Sequence, residues 1–344
     1  MGEPEMNETT APALTVAVTG PTGTFGFGLL PFLQEDERIG RVVGVARRPF
    51  DPASQGWDKM EYRRGDVRDA AALEQALEGA DVVVHLAFMI TGAASPETIH
   101  AINVEGTLNA FRAARAVGAK RFVYASSVAA YGFHRDNPVG MTEEWPARPA
   151  DRLFYAREKA ELEQLLAEEA GDAPEPGLYL LRPPIVVGPH AVGAKDLAPD
   201  FLDPLMRPLA GLVRNGLPIP VPLPVPDLPM QFIHEEDVGQ ALFLCILGTG
   251  TPGVYNIAGD GLVSATQVAR ELGFVPIAVP GRPVQSAARV GAALAGLPGM
   301  PPAAGWVEAL THPAIMDTEK AKRELHWIPR YSGVEAVRDA IAQA

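Results

Sequence analysis

The sequence predicts an α/β fold in which a doubly wound parallel sheet is followed by a smaller C-terminal cap. From Leu14 onwards, short runs rich in valine, leucine and tyrosine alternate with longer segments whose apolar residues recur at helical spacing. The short runs also lack the polar and apolar alternation of a half-exposed strand. Strands of this kind are covered on both faces, as in a parallel sheet flanked by helices.

The individual elements follow from these patterns. Strands are predicted at 14–19, 42–46, 82–86, 121–125 and 178–182, with another candidate just before Gly65. Helices are predicted at 25–34, 70–77, 97–117 and 155–170, and later at 236–247, which precedes a strand at 254–257. Between these halves the chain is rich in proline, above all from Leu217 to Pro226. Proline lacks a backbone donor, so this run is predicted to be extended or polyproline-like surface chain and not a central strand.

Composition excludes several classes of protein. The 344 residues include 29 Lys and Arg against 42 Asp and Glu, which gives a net charge of −13 and argues against nucleic-acid or anionic-membrane partners. Neither a signal sequence nor a membrane-spanning stretch is recognisable, so we expect a cytoplasmic protein. The single cysteine, Cys245, lies in an apolar run and is predicted to be a buried small residue.

A glycine-rich turn follows the first strand. Three glycines, Gly20, Gly23 and Gly26, stand three residues apart between a predicted strand and a predicted helix. This spacing allows a tight turn and lets a pyrophosphate approach the backbone at a helix N-terminus. The motif therefore predicts a dinucleotide site, although a strand-to-helix turn with incidental glycines would look the same.

The residues after the next two strands bear on the choice of cofactor. An acidic residue that would bind the adenosine ribose is replaced by Ala46, and Arg47 and Arg48 follow it. Two cations at this point favour NADP over NAD, unless they are simply solvated arginines. Further on, Asp66 has two interpretations: it accepts a hydrogen bond from the adenine amino group, or it caps the next helix.

One tyrosine is followed by a lysine four residues later, Tyr155 and Lys159. Residues at this spacing share a helix face, so the ammonium can lie near the phenolic oxygen and stabilise its ionised form. An exposed helix pair would give the same pattern. The position favours the chemical interpretation, because the helix follows a strand that ends in Ser126-Ser127.

Together these motifs resemble the extended short-chain dehydrogenase/reductase superfamily, in particular its NAD-dependent epimerase/dehydratase branch. The resemblance runs from about Leu14 to Ser332. The matched motifs, in family order, are Thr19-Gly20-x-x-Gly23-x-x-Gly26, Gly65-Asp66-Val67, His85-Leu86-Ala87, Asn103-Val104-x-Gly106-Thr107, Ser126-Ser127 with Tyr131-Gly132, Tyr155-x-x-x-Lys159, Leu181-Arg182-Pro183 and Phe232-Ile233-His234. A Rossmann-like sheet, a nicotinamide cofactor and a substrate-binding cap are implied by this resemblance.

The resemblance also implies roles for individual residues. Tyr155 is the expected catalytic acid/base, Lys159 lowers its pKa and binds the nicotinamide ribose, and Ser127 hydrogen-bonds the substrate oxygen. Asn103 corresponds to an asparagine that braces the active-site helix in relatives. Other expected cofactor contacts are Gly20, Thr22, Gly23, Thr24, Phe25, Gly26, Arg47, Arg48, Asp66, Val67, Leu86, Ala87, Phe88, Asn103 and Pro183, and the expected substrate contacts are Met89, Ser127, Val128, His134 and Tyr155.

One departure from the family pattern points to a substrate class. Relatives that act on nucleotide sugars commonly carry an asparagine soon after the arginine of the sixth strand, whereas Arg182 is followed here by Pro183 and Pro184. We therefore expect an NAD(P)-dependent oxidoreductase for a ketone/alcohol pair of apolar or weakly polar character. The alternatives are a nucleotide-sugar epimerase or dehydratase and a non-catalytic NADP-binding regulator. The intact set of Ser127, Tyr155 and Lys159 argues against the regulator.

Three further expectations concern organisation. Residues 1–13 are predicted to be a disordered tail, 14–188 with 232–257 a dinucleotide-binding domain, and 189–231 with 258–344 the substrate-binding region. No histidine or cysteine spacing typical of a metal site is present, and His85 and His234 are interpreted as structural. By resemblance, the protein is expected to be a homodimer held by the helices at 97–117 and 155–170.

Overall fold

The computed structural model describes residues 12–90, 94–149, 153–191, 222–226, 228–279 and 312–343. Residues 1–11 of the predicted N-terminal tail and residues 192–221 and 280–311 of the predicted cap lie outside the described residues.

A parallel sheet forms the centre of the molecule. In chain order the described strands are β1 (Leu14–Thr19), β2 (Ile39–Ala46), β3 (Met60–Arg64), β4 (Val82–His85), β5 (Arg121–Ala125), β6 (Gly177–Arg182), β7 (Ile185–Val187), β8 (Pro222–Pro226), β9 (Pro229–Met230), β10 (Phe232–His234), β11 (Gly253–Asn256), β12 (Val263–Ser264) and β13 (Val275–Val279). Seven of them pair in the order β3-β2-β1-β4-β5-β6-β11, and every pairing is parallel. The predicted fold class is therefore confirmed.

Helices connect the strands at nearly the predicted positions. They are α1 (Thr24–Glu35), α2 (Ala70–Ala76), α3 (Pro96–His100), α4 (Gly106–Ala116), α5 (Phe154–Ala170), α6 (Glu235–Ile246), α7 (Ala265–Glu271), α8 (Glu319–Glu324) and α9 (Gly333–Gln343). The single helix predicted at 97–117 is divided, because residues Ala101–Glu105 form a π-helical turn between α3 and α4. Such turns are frequent at functional sites.

Two apolar cores cover the two faces of the sheet. Along β1, Val16 and Val18 point into the core that contains α1 and α6, whereas Ala17 points into the core that contains α2, α4 and α5. Successive side chains of a strand alternate between faces, so both faces must be apolar here. This packing explains why the strand sequences lack polar alternation.

The proline-rich strand β8 lies apart from the central sheet. It pairs with β13 in a two-stranded parallel sheet, and prolines occupy its positions 222, 224 and 226. Successive N–H groups of a strand point to opposite sides, so residues two apart point to the same side. The prolines have no N–H group, and Leu223 and Val225, which are two apart, are left to donate towards the partner strand. Of the proline-rich run, only Pro222–Pro226 is described, and there the predictions that it is extended and not a central strand are confirmed. This part pairs with β13 and is not a polyproline-like chain.

The last part of the chain packs against the core on one face of the central sheet. Ala321, Leu325 and Trp327 belong to the same core as α1 and α6, and the Trp327 indole donates to the carbonyl of Asp237 at 3.1 Å. The sequence predicts that residues 258–344 belong to the substrate-binding region, but this part of them packs into the core that covers one face of the central sheet. Among the described residues no helix combines the length and the apolar character that crossing a membrane requires.

Candidate active site

The glycine-rich turn between β1 and α1 contains two glycines that the fold itself requires. Gly20 has a φ of +70°, and a Cβ atom there would lie 2.8 Å from the backbone nitrogen of Ala87. A Cβ atom at Gly26 would lie 2.0 Å from the carbonyl oxygen of Pro21. Real side chains do not tolerate such distances, so these two positions fix the tight turn.

Gly23 differs from its neighbours, because the fold leaves room for a side chain there. The nearest atom to a Cβ at Gly23 would be 3.5 Å away, and Gly23 is the exposed N-cap of α1 without a side-chain cap. The first N–H groups of α1 are therefore not covered by a capping side chain, and the backbone at Gly23 is accessible. A diphosphate needs both features in order to bind at a helix N-terminus. Thr22, Thr24 and Phe25 line the same turn, and each is half-buried.

Arginines collect at the carboxyl ends of β2 and β3. Arg47 and Arg48 are both exposed, and the carbonyl of Arg47 accepts from Nε of Arg64 at 3.0 Å. Asp66 pairs with Arg68 at 2.7 Å, and this hydrogen bond holds the pKa of the Asp66 carboxyl below its usual value. Positive charge thus exceeds negative charge where the sequence predicts the adenosine ribose.

Asp66 does not cap α2. The N-cap is Asp69, whose carboxylate accepts from the backbone N–H of Ala72 at 3.0 Å. The capping interpretation of Asp66 was therefore wrong. Val67, which follows it, is buried in the core beneath α4 and offers its carbonyl to Asn109 at 3.1 Å.

The segment after β4 forms another wall of the cleft. Its first residue, Leu86, donates to the carbonyl of Thr19 at 3.0 Å, and both backbone groups of Met89 bond to the amide of Asn103, at 2.7 and 3.0 Å. The same amide donates to Glu158 of α5 at 2.7 Å. Both N–H groups of Asn103 are thus used internally, which leaves no donor for a cofactor and supports the bracing role.

His85 lies beneath this wall as a neutral structural residue. Its ring nitrogens bond to Thr19 at 2.8 Å and Thr107 at 3.0 Å, and burial lowers its pKa to about 3. Thr107 donates to the carbonyl of Asn103, so its oxygen accepts from Nε2–H of the imidazole. His234 is likewise bonded through both nitrogens, to Asp339 and to the backbone of Glu236. The structural interpretation of both histidines is confirmed.

Ser127 and Tyr155 meet at the carboxyl end of β5. Ser127 begins the 3₁₀ turn Val128–Tyr131 and accepts from the backbone of Ala129 at 3.2 Å. Tyr155 lies in the first turn of α5, edge-on to the ring of Phe88 with centroids 5.6 Å apart. Burial raises the pKa of Tyr155, and a hydrogen bond with Ser127 opposes that shift.

Lys159 lies one helical turn further along α5 and is 3% exposed. Its Nζ donates to the hydroxyl of Tyr124 at 3.0 Å and to the carbonyl of Ala125 at 2.7 Å, and it lies 3.7 Å from the ring centroid of Phe88. Burial lowers the pKa of Lys159 to about 7. The two hydrogen bonds hold the Lys159 nitrogen at the carboxyl end of β5.

One expectation about this pair needs correction. The sequence led us to expect that Lys159 lies beside the Tyr155 oxygen and lowers the phenol's pKa. In the structure its hydrogen bonds go to Tyr124 and Ala125, its Nζ is 5.8 Å from the centre of the Tyr155 ring, and burial raises the pKa of Tyr155. The sequence analysis missed Tyr124, although a hydroxyl-bearing residue near the end of a buried strand was an available signal.

The remaining predicted residues are tied to neighbouring backbone groups. Val128, which is largely buried, donates to the carbonyl of Pro183 at 2.9 Å, and His134 bonds through Nε2 to the carbonyl of Arg148 at 2.6 Å. Arg182, just before Pro183, is buried against Glu163 with Nε 2.9 Å from a carboxylate oxygen. In the described part of the chain, no group of three or more histidine, cysteine, aspartate or glutamate side chains is arranged to hold a metal ion.

The fold and the site together define a dinucleotide-binding α/β protein with a serine, tyrosine and lysine set at the carboxyl edge of its sheet. The model of the NAD dependent epimerase/dehydratase family matches residues 16–258. The chain belongs to that family.

Several known proteins resemble the chain over much of its length. The Sinorhizobium fredii protein y4nG is 29% identical over 327 residues, which span 92% of this chain and 75% of y4nG. Human 3 beta-hydroxysteroid dehydrogenase type 7 is 33% identical over 195 residues, 52% of each chain. The crystal structure of dTDP-glucose 4,6-dehydratase from Bacillus anthracis, in complex with NAD, superposes with a TM-score of 0.69 at 17% identity and covers 96% of both chains. At that identity the structural likeness shows the fold alone.

Proposed function

We propose that the protein is an NADP(H)-dependent oxidoreductase that interconverts a ketone and an alcohol of apolar or weakly polar character. The observation that carries this proposal is the convergence of Ser127, Tyr155 and Lys159 at the end of β5, where Tyr155 is hydrogen-bonded to Ser127 and a buried ammonium lies one turn away. A protein that only binds a nucleotide has no need to bury a charged lysine there, because that burial is costly.

The residues present fit a dinucleotide. The turn from Gly20 to Gly26 and the uncapped N-terminus of α1 would hold its diphosphate, and the arginines after β2 would hold its adenosine end. When bound, the nicotinamide supplies or accepts the hydride. Ser127 would orient the substrate oxygen, Tyr155 would give or take the proton on that oxygen, and Lys159 would bind the nicotinamide ribose.

The excess of arginine supports NADP. Arg47, Arg48 and Arg64 gather at the carboxyl ends of β2 and β3, and Asp66, which follows β3, is already paired with Arg68. A phosphate on the adenosine ribose would find unpaired guanidinium groups there, and arginine binds phosphate in a bidentate manner.

The walls of the cleft support an apolar substrate. Phe88 lies edge-on to the ring of Tyr155 with centroids 5.6 Å apart, and the apolar Met89 and Val128 directly follow Phe88 and Ser127 in the chain. Arg182 is buried and engaged by Glu163, so that it cannot hold a diphosphate. The relative with 33% identity is a hydroxysteroid dehydrogenase, an enzyme named for an apolar alcohol.

A second candidate is a nucleotide-sugar epimerase or dehydratase, which the name of the matched family favours. The two reactions differ in whether the cofactor is consumed: a ketone reduction oxidises one NADPH per turnover, whereas an epimerase or dehydratase returns its cofactor to the starting state. We expect stoichiometric oxidation of NADPH when the protein is incubated with a panel of apolar ketones, and no turnover of UDP- or dTDP-sugars. Conversion of a nucleotide sugar without net change in the cofactor would instead establish the second candidate.

A further inference from the structure

We propose that Tyr124 is a positioning residue that keeps the Lys159 ammonium charged and directs it into the active site. The inference rests on the proposed function, since it concerns the lysine of that reaction. It is carried by the hydrogen bond of 3.0 Å from Nζ of Lys159 to the hydroxyl of Tyr124.

Donor geometry explains what this bond does. An ammonium group has three N–H donors, and two of them are directed to Tyr124 and to the carbonyl of Ala125, at 3.0 and 2.7 Å. Both acceptors belong to β5, whose position in the sheet is fixed. Because an ammonium group is tetrahedral, two bonds to fixed acceptors also set the direction of the third N–H. The ring of Phe88 lies 3.7 Å from Nζ and covers the charge on another side.

The acidic groups near Lys159 are engaged elsewhere. On its own helix, Glu158 accepts from Asn103 at 2.7 Å and Glu163 forms a buried ion pair with Arg182. On β4, His85 is neutral and offers no negative charge. These carboxylates help the ammonium only through longer-range attraction, which makes a directly bonded neutral oxygen important.

Tyr124 is suited to accept and unsuited to act as a second acid. It is 1% exposed, and burial raises the pKa of its phenol far above the ordinary value. It therefore remains protonated, and its oxygen can stabilise the charged form of the lysine. Hydrogen bonds to a charged group are stronger than those between neutral groups, so the benefit falls when Lys159 loses its proton.

The test is a comparison of unfolding free energies at pH 6 and pH 9 for the wild type and the Tyr124→Phe, Lys159→Met and double variants of the full chain. Lys159 has a lowered folded pKa, so its burial penalty is complete below about pH 7 and is relieved as the pH rises towards its unfolded value. Tyr124→Phe should lower the folded pKa of Lys159 by about one further unit. The variant should therefore lose more stability at pH 6 than at pH 9, and this difference should vanish in the Lys159→Met background.

Tyr131→Phe is the matched control. Tyr131 is also a fully buried phenol close to β5, but its hydroxyl bonds to Asn256 at 2.9 Å and to the carbonyl of Thr142. Its loss should cost equal stability at both pH values. A pH-independent loss for Tyr124→Phe would overturn the proposal, because a packing role has that signature.

Activity provides a separate readout. With a ketone that the wild type reduces, Tyr124→Phe should lower kcat roughly tenfold with little change in KM. An unchanged kcat would contradict a positioning role. If no ketone is reduced by the wild type but the pH-dependent coupling to Lys159 appears, the proposed function fails and the link between Tyr124 and Lys159 stands.

Discussion

The backbones of Gly28 and Gly239 touch where α1 crosses α6. A Cβ atom at Gly239 would lie 1.9 Å from the carbonyl oxygen of Gly28, and one at Gly28 would lie 2.1 Å from the carbonyl oxygen of Glu235. Two helices approach this closely only where side chains are absent. The contact fixes the helix that presents the glycine-rich turn against the core of the protein.

Gly239→Ala should therefore destabilise the fold. Alanine favours a helix interior by roughly 0.5–1 kcal/mol over glycine, but separating two packed backbones costs roughly 1–3 kcal/mol, so the net effect is a loss. Denaturant unfolding measures it. Gly333→Ala, in α9, is the control, because its nearest neighbour is a side-chain atom of Val263 at 3.2 Å that can move. Equal losses in both variants would contradict the explanation.

Gly23→Ala should separate binding from stability. The fold has room for the methyl group, so the unfolding free energy should change by less than about 1 kcal/mol. The same methyl group would occupy the surface that a diphosphate approaches, and the Kd for NADPH should rise at least roughly tenfold. Calorimetric titration with NADPH tests this, and an unchanged Kd would show that the diphosphate lies elsewhere.

The sequence allowed most of the fold to be predicted, because the central strands β1 and β4 are apolar on both faces and the helices between the strands carry apolar residues at helical spacing. It did not reveal the π-helical turn at Ala101–Glu105, whose side chains follow an ordinary helical pattern. Nor did it reveal the partner of Lys159. Helical spacing places Tyr155 and Lys159 on one face of α5. The acceptor of the Lys159 hydrogen bond depends on which oxygen atoms of β5 face α5, and the sequence of a strand does not show how it is oriented towards a neighbouring helix.

Arg47→Asp should change the choice of cofactor. If Arg47 binds a phosphate on the adenosine ribose, its replacement by a carboxylate should raise the Kd for NADPH by roughly 10- to 100-fold and leave the Kd for NADH unchanged or lower. Fluorescence titration with both cofactors measures the ratio. Arg323→Asp, an equal charge change at an exposed site on α8, controls for the effect of net charge. A preference that stays the same in Arg47→Asp would remove the basis for choosing NADP.

Tyr155→Phe tests the acid/base assignment that every catalytic candidate shares. The variant keeps the ring against Phe88 and removes the hydroxyl that we propose exchanges a proton with the substrate oxygen. We expect kcat to fall by roughly 10² to 10⁴, while the Kd for NADPH changes little. Tyr179→Phe is the control, since that hydroxyl bonds to the carbonyl of Gly250.

Burial raises the pKa of Tyr155, so its phenol is protonated at neutral pH and is ready to donate in the direction of ketone reduction. Reduction should accordingly be favoured at neutral pH, and alcohol oxidation should rise towards alkaline pH as the phenol ionises. Near wild-type turnover by Tyr155→Phe would mean that another group moves the proton.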